Sequence, residues 1–138
     1  MEKKTITVKT TINAPMEKVW RYWNAPEHIT QWAFASDDWE APQAENDLKV
    51  DGRFKTTMAA KDKSVSFDFT GKYAAVTPNE LIEYDIDDGR HVTVEFANTP
   101  GGVQVTETFE MENENSEELQ RGGWQAILEN FKKHVESN

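Results

Sequence analysis

Apolar and polar residues alternate through most of this chain, and the alternation changes to helical spacing at two places. Thr5 to Ile12 puts Ile6, Val8, Thr10 and Ile12 on one face and Thr5, Thr7, Lys9 and Thr11 on the other, which predicts a half-buried strand. Asn13-Ala14-Pro15 stops it and predicts a helix, with Asn13 or Ala14 as the cap, Pro15 in the first turn, and Val19, Trp20 and Trp23 on the buried side. Asn24-Ala25-Pro26 breaks that helix, and Pro26-Glu27-His28 opens a second short one through about Trp32. Trp39 to Glu45 carries a proline and alternates poorly, so it predicts at best an edge strand.

The period then settles at two. Leu48 to Ala60 predicts a strand bent or bulged at Asp51-Gly52, with Phe54, Thr56, Met58 and Ala60 on one face. Val65, Phe67, Phe69, Gly71 and Tyr73 share the next face, followed by Ile82, Tyr84 and Ile86, then Val92, Val94 and Phe96. Val103, Val105, Glu107, Phe109 and Met111 make the closing strand. The turns between them, Lys61-Asp62-Lys63, Thr77 to Glu80, Asp87 to Arg90 and Thr99 to Gly102, are short, so sequence neighbours pair in the sheet. Ser116 to Val135 returns to helical spacing, with Trp124, Ile127, Leu128, Phe131 and Val135 in one stripe and Asn115 with Glu118 as a capping box.

The order is strand, helix pair, five or six antiparallel strands and a long helix: an α+β chain in which residues 1–138 form one domain. A helix with one greasy face needs a surface to cover, and the only candidate is a curved sheet. Such a pair tends to leave a hollow, and a hollow lined with aromatics takes small apolar ligands.

Motifs in this order carry a family signature. Ala14-Pro15-x-x-x-Val19-Trp20, Trp32, Asp47-Leu48-x-x-x-Gly52-x-Phe54, Gly71-x-Tyr73 and Gly123-Trp124-x-x-x-Leu128 together resemble the START/Bet v 1-like (SRPBCC) superfamily. Within it the chain is most similar to activator of HSP 90 ATPase homologue-like domains. The resemblance implies a helix-grip fold, in which a curved antiparallel sheet wraps a long C-terminal helix and encloses a pocket. The family pattern has two glycines where this chain has Asp51-Gly52, a change expected to alter one local turn. The family's eukaryotic co-chaperone has a further N-terminal domain that engages the chaperone. These 138 residues are not expected to hold it, so the resemblance implies the fold more than chaperone activation.

Composition narrows the partners. A formal net charge of −10 repels phosphate backbones and anionic membrane surfaces, so nucleic acid is not expected. There is no cysteine, no apolar run of membrane-spanning length and no signal-peptide pattern, which points to a cytoplasmic protein. The three histidines, His28, His91 and His134, lack companion ligands at metal-binding spacing, and no nucleotide or phosphate motif is present. Neither a metal nor another cofactor is expected.

Glu107 is the sharpest chemical feature, because it shares its face with Val103, Val105, Phe109 and Met111. If that face points inward, burial raises its pKa and suits it to proton transfer or to anchoring a ligand's polar end. A phase-flipping bulge, or pairing with a neighbouring lysine or arginine, is the alternative. His28 is a second candidate acid or base, with a surface or capping role as its alternative, and His91 and His134 are expected at the surface. Trp32, Trp39, Phe54, Met58, Phe67, Phe69, Tyr73, Tyr84, Phe96, Glu107, Phe109, Trp124 and Leu128 are the expected ligand-binding residues. Gly122-Gly123 inside the last helix calls for an explanation, either a close approach to the sheet, a frayed first turn, or a ligand portal.

The favoured reading is a carrier, sensor or stress-related binding protein for a small apolar or amphipathic molecule. A polyketide cyclase/dehydratase-like enzyme, using Glu107 or His28, and a co-chaperone module both stay open. So do a chaperone contact and a homodimer.

Overall fold

The computed structural model describes residues 4–138. Seven strands form one antiparallel sheet: β1 (Thr5–Ile12), β2 (Trp39–Asn46), β3 (Arg53–Ala60), β4 (Ser66–Thr77), β5 (Leu81–Ile86), β6 (His91–Thr99) and β7 (Gly102–Glu110). Their order is β1-β7-β6-β5-β4-β3-β2, so every neighbour is a sequence neighbour except the β1–β7 pair, which brings the first strand against the last. Helices α1 (Met16–Asn24) and α2 (Pro26–Trp32) follow β1, and α3 (Glu117–Ser137) ends the chain. This is the α+β helix-grip architecture.

Trp39–Asn46 is the edge strand, and its pairing to β3 shifts register between Glu40 and Gln43, across Pro42. The expected bulge at Asp51-Gly52 is instead a turn joining β2 to β3. Asp51 takes φ 68° there, and a Cβ on Gly52 would lie 2.1 Å from the Asp47 carbonyl oxygen. Only glycine fits that approach. The bulge in this region lies further on, in β4 between Tyr73 and Ala75.

The helix ends correct two cap assignments. Pro15 is itself the N-cap of α1, with no side chain capping it, and the Asn13 amide donates to the Glu136 carboxylate 2.9 Å away. Pro26 does occupy the first turn of α2. At α3 the cap is Ser116, whose Oγ accepts from the Leu119 amide at 3.1 Å, one residue beyond the expected Asn115. Ser116→Ala is expected to cost about 1 kcal/mol in chemical denaturation.

The long helix is tied to one side of the sheet. β1 is an edge strand, and edge carbonyls need partners. Arg121, Gln125 and Lys132 of α3 donate to the carbonyls of Thr7, Lys9 and Thr11, at 3.3, 3.2 and 2.6 Å. Alternate strand residues thus meet donors spaced one and then two turns apart along one helix. On the inward side Leu128, Phe131 and Val135 are fully buried, with the Phe131 ring edge-on to Trp23 at 4.8 Å and to Trp32 at 4.9 Å. The C-terminal half of α3 is therefore packed solid against α1, α2 and β1.

Candidate functional site

The sheet is wider than the space that α3 fills. Between the N-terminal half of α3 and strands β3, β4 and β5 lies a cavity of about 400 Å³. That size suits a small organic molecule. Nine of the expected binding residues stand on its wall: Trp32, Phe54, Met58, Phe67, Phe69, Tyr73, Tyr84, Glu107 and Trp124.

Four do not, for distinct reasons. Phe109 lies beneath the wall, stacked on Trp124 at 3.9 Å between ring centres and fully buried. Leu128, next to the wall residue Ile127, turns into the filled core. Phe96 packs edge-on to Trp20 at 5.2 Å and Trp23 at 5.9 Å. Trp39, on the edge strand, packs against Phe67 at 6.0 Å.

The sheet wall is aromatic by design of the backbone. Gly71 of β4 lies opposite Phe54 of β3, and a Cβ on Gly71 would sit 2.7 Å from that ring and 2.6 Å from the Asp85 carbonyl oxygen. The missing side chain lets Phe54 lie flat on the strand, where it meets Tyr84 edge-on at 4.9 Å and Tyr73 at 5.4 Å. The Tyr73 hydroxyl donates to Asn46 Oδ1, and Asn46 Nδ2 donates to the Asn24 carbonyl at 2.7 Å. This relay pins β4, the edge strand β2 and the end of α1 together around one side of the cavity. Burial, foremost, holds the Tyr73 hydroxyl far above its ordinary pKa, so it stays a neutral donor.

Glu107 is the polar centre. The burial pattern of β7 alternates without interruption, so Val103, Val105, Glu107 and Phe109 all point inward. Glu107 faces Val8 across one strand pair and Val94 across the other, and is 4% exposed. No lysine or arginine meets it: among the described residues its carboxyl has neither an ion pair nor a hydrogen bond. Burial pushes that carboxyl up to about 8. Tyr84, on the same wall, is driven well above its ordinary range by burial and then by Glu107. At neutral pH the pair is therefore a protonated carboxyl and a phenol, two hydroxyl donors in an aromatic chamber.

The mouth is apolar. Phe67, 49% exposed on β4, and Leu119, 63% exposed in the first turns of α3, both line the cavity and reach solvent. Gln120 holds the rim: its Oε1 accepts from the Glu112 amide at 3.0 Å and its Nε2 donates to the Asn115 carbonyl at 2.8 Å. Gly123 lies on the cavity wall, and neither glycine of the Gly122-Gly123 pair would bring a Cβ within 4 Å of another element. Close packing thus does not explain them; they border open space. Gly122→Ala is expected to raise stability by about 0.5–1 kcal/mol in urea unfolding.

Sequence reasoning missed Gln120, Asn46, Thr56 and Arg90 on the wall. Arg90 pairs with Asp88, Nε to Oδ2 at 2.9 Å, yet its side chain is only 18% exposed and lines the cavity. Arg53 is a surface partner of Asp87, at 2.6 Å.

The histidines lie elsewhere. His28 is off the cavity wall, its ring stacked on Tyr22 at 3.8 Å and its Nδ1 2.9 Å from His134 Nε2. Burial, then His28 and Lys18, push His134 down. His91 lies between Asp85 at 2.7 Å and Glu83 at 3.0 Å. Partial burial opposes its charge, but the two carboxylate hydrogen bonds outweigh that and raise it. No metal-binding cluster occurs among the described residues, and no helix there is long and apolar enough to cross a membrane.

Solved structures are similar over nearly the whole chain. The AHSA1-like protein from Aeromonas hydrophila is 44% identical, with a TM-score of 0.91, over 97% of this chain and 93% of that one. Chr148 from Cytophaga hutchinsonii is 53% identical, with a TM-score of 0.84, at the same coverage of 97% and 93%. NE0264 from Nitrosomonas europaea shares the fold at 18% identity and a TM-score of 0.82, over 96% of this chain and 94% of that one. No curated protein matches the chain. The model of the family described as "Activator of Hsp90 ATPase homolog 1-like protein" matches residues 13–136, which takes in β2 to β7, the cavity wall and nearly all of the long helix, and the chain belongs to that family.

Proposed function

We propose that this protein binds a small, mostly apolar molecule between the sheet and α3. One observation carries the reading: a cavity of about 400 Å³, walled by Trp, Phe and Tyr rings, surrounds a buried carboxyl that has no hydrogen-bond partner among the described residues. The carboxyl oxygens open onto the cavity rather than being sealed in protein, so a ligand there can hydrogen-bond them. The aromatic wall supplies contact area, Glu107 and Tyr84 orient the ligand, and Phe67 and Leu119 mark the way in.

Native mass spectrometry of freshly purified protein, beside the same protein unfolded and refolded, tests this. A retained adduct released by unfolding is the expected result. If none is retained, and naphthalene and its derivatives leave the fluorescence of Trp23, Trp32 and Trp124 unchanged, the reading fails.

An enzymatic reading rests on the same carboxyl. A carboxylic acid that titrates near neutrality can serve as a general acid or base. His28 lies outside the cavity, so Glu107 would act with Tyr84 alone. Catalysis would show as turnover abolished by Glu107→Gln, whereas binding alone predicts altered affinity with the fold intact. Chaperone activation, which the family's description suggests, would show as a raised chaperone ATPase rate that persists in Glu107→Gln.

A further inference from the structure

The cavity's charge lining narrows the ligand's chemistry, on the reading that the cavity binds a small molecule. The ionisable residues on its wall besides the two tyrosines are Glu45, Arg90, Glu107 and Glu112. Arg90 is paired with Asp88, 2.9 Å from its Nε, and three carboxyl groups outnumber it on the wall. The wall thus offers carboxyl groups and no unpaired cation. The same wall carries Phe54, Phe69, Tyr84 and Trp124, in edge or tilted contact with one another at 4.9 to 6.4 Å.

Aromatic faces carry negative electrostatic potential, so rings beside carboxyl groups favour a positive charge over a negative one. A ligand acid would place its negative group against those ring faces. A ligand alcohol would satisfy the hydrogen bond but leave the charge lining unanswered. A protonated amine does both, because it donates to the carboxyl and sits against the rings. The chain's net charge of −10 favours the approach of cations as well.

We propose that the ligand of this cavity is an apolar molecule bearing a protonated amine, which pairs with Glu107 and is faced by the surrounding aromatic rings. The amine keeps its proton, and Glu107 passes its own to solvent as the ion pair forms. The apolar body lies along Phe69 and Trp124 toward the mouth.

Isothermal titration at pH 7 with three matched probes tests this: 2-(1-naphthyl)ethylamine, 2-(1-naphthyl)ethanol and 1-naphthylacetate. The amine is expected to bind at least tenfold more tightly than the alcohol, and the acid most weakly. Glu107→Gln is expected to bring the amine down to the alcohol's affinity while changing the alcohol's own by less than threefold. Glu95→Gln, on the exposed face of β6, removes the same charge and should keep the preference. Equal or tighter binding of the alcohol or the acid by the unaltered protein overturns the amine and leaves the cavity reading standing. An amine preference that survives Glu107→Gln overturns the pairing. Failure of all three probes to bind overturns the cavity reading itself.

Discussion

Glu107→Gln should stabilise this protein, increasingly so as the pH rises from 5 to 8. The sign follows from where the proton sits in each state. The unfolded chain releases it near the ordinary carboxyl value of 4.5, whereas the folded chain keeps it up to about 8. Below pH 4 both states hold the proton and titration costs nothing. Between the two values the folded state binds more protons than the unfolded one, so raising the pH favours unfolding by about 1.4 kcal/mol per unit. Above the folded value the loss is complete. Glutamine keeps the shape and carries no proton to release. In urea denaturation the variant is expected to gain roughly 2–4 kcal/mol on the unaltered protein between pH 5 and pH 8, a difference that cancels the titration of every other group. Parallel pH profiles would mean that the carboxyl is ionised in the folded protein.

Phe131→Ala should be among the most damaging single substitutions, at about 3–5 kcal/mol. Its ring is fully buried and meets Trp23 and Trp32 edge-on, so removal leaves a hole among rigid rings that cannot collapse. Ile127, one turn earlier on the same helix, stands on the cavity wall and is only partly buried. Ile127→Ala enlarges a space that already exists and is expected to cost about 1 kcal/mol. The contrast matters more than either number. Equal costs at both positions would indicate that α3 packs uniformly along its length.

That division between a solid half and a hollow half is where reading the sequence stops. Periodicity showed which residues face inward. It placed Glu107 on the buried face of β7, because a strand's side chains alternate strictly and no bulge interrupts that strand. The same rule could not separate Phe69, on the cavity wall, from Phe109, packed beneath Trp124. Both face inward; what differs is whether atoms lie on the far side, and that depends on the whole sheet's curvature. Leu128 and Ile127 are consecutive in the helical stripe, yet one is in the core and the other borders the cavity.

Polar residues of the wall were harder to read. Asn46 matters because it bridges Tyr73 and Asn24, residues 27 and 22 positions away. Gln120 matters because it ties the start of α3 to the segment after β7. Neither contact leaves a local pattern. The glycine pair was a signal open to three readings, and the open space around both glycines removes the close-packing one. Fold recognition succeeded because the motif order reports the backbone, where glycines at 52 and 71 mark approaches that exclude a side chain.

The fastening of α3 explains why the hollow survives. Three donors spread along one side of α3 hold the helix to the carbonyls of the β1 edge, while its C-terminal half is locked onto α1 and α2. With the helix held there, the aromatic faces of β3, β4 and β5 have no helix of their own to meet. Their rings pack on one another and leave the space open.

The direct test is to offer that space a guest and ask where it goes. In an NMR titration with naphthalene, the helix-grip account places intermolecular proton contacts on the rings of Phe54, Phe69 and Trp124, with none on Phe131 or Val135. A guest that contacts only exposed surface, or a protein that shows no contacts at all, would mean that the long helix fills the sheet it covers.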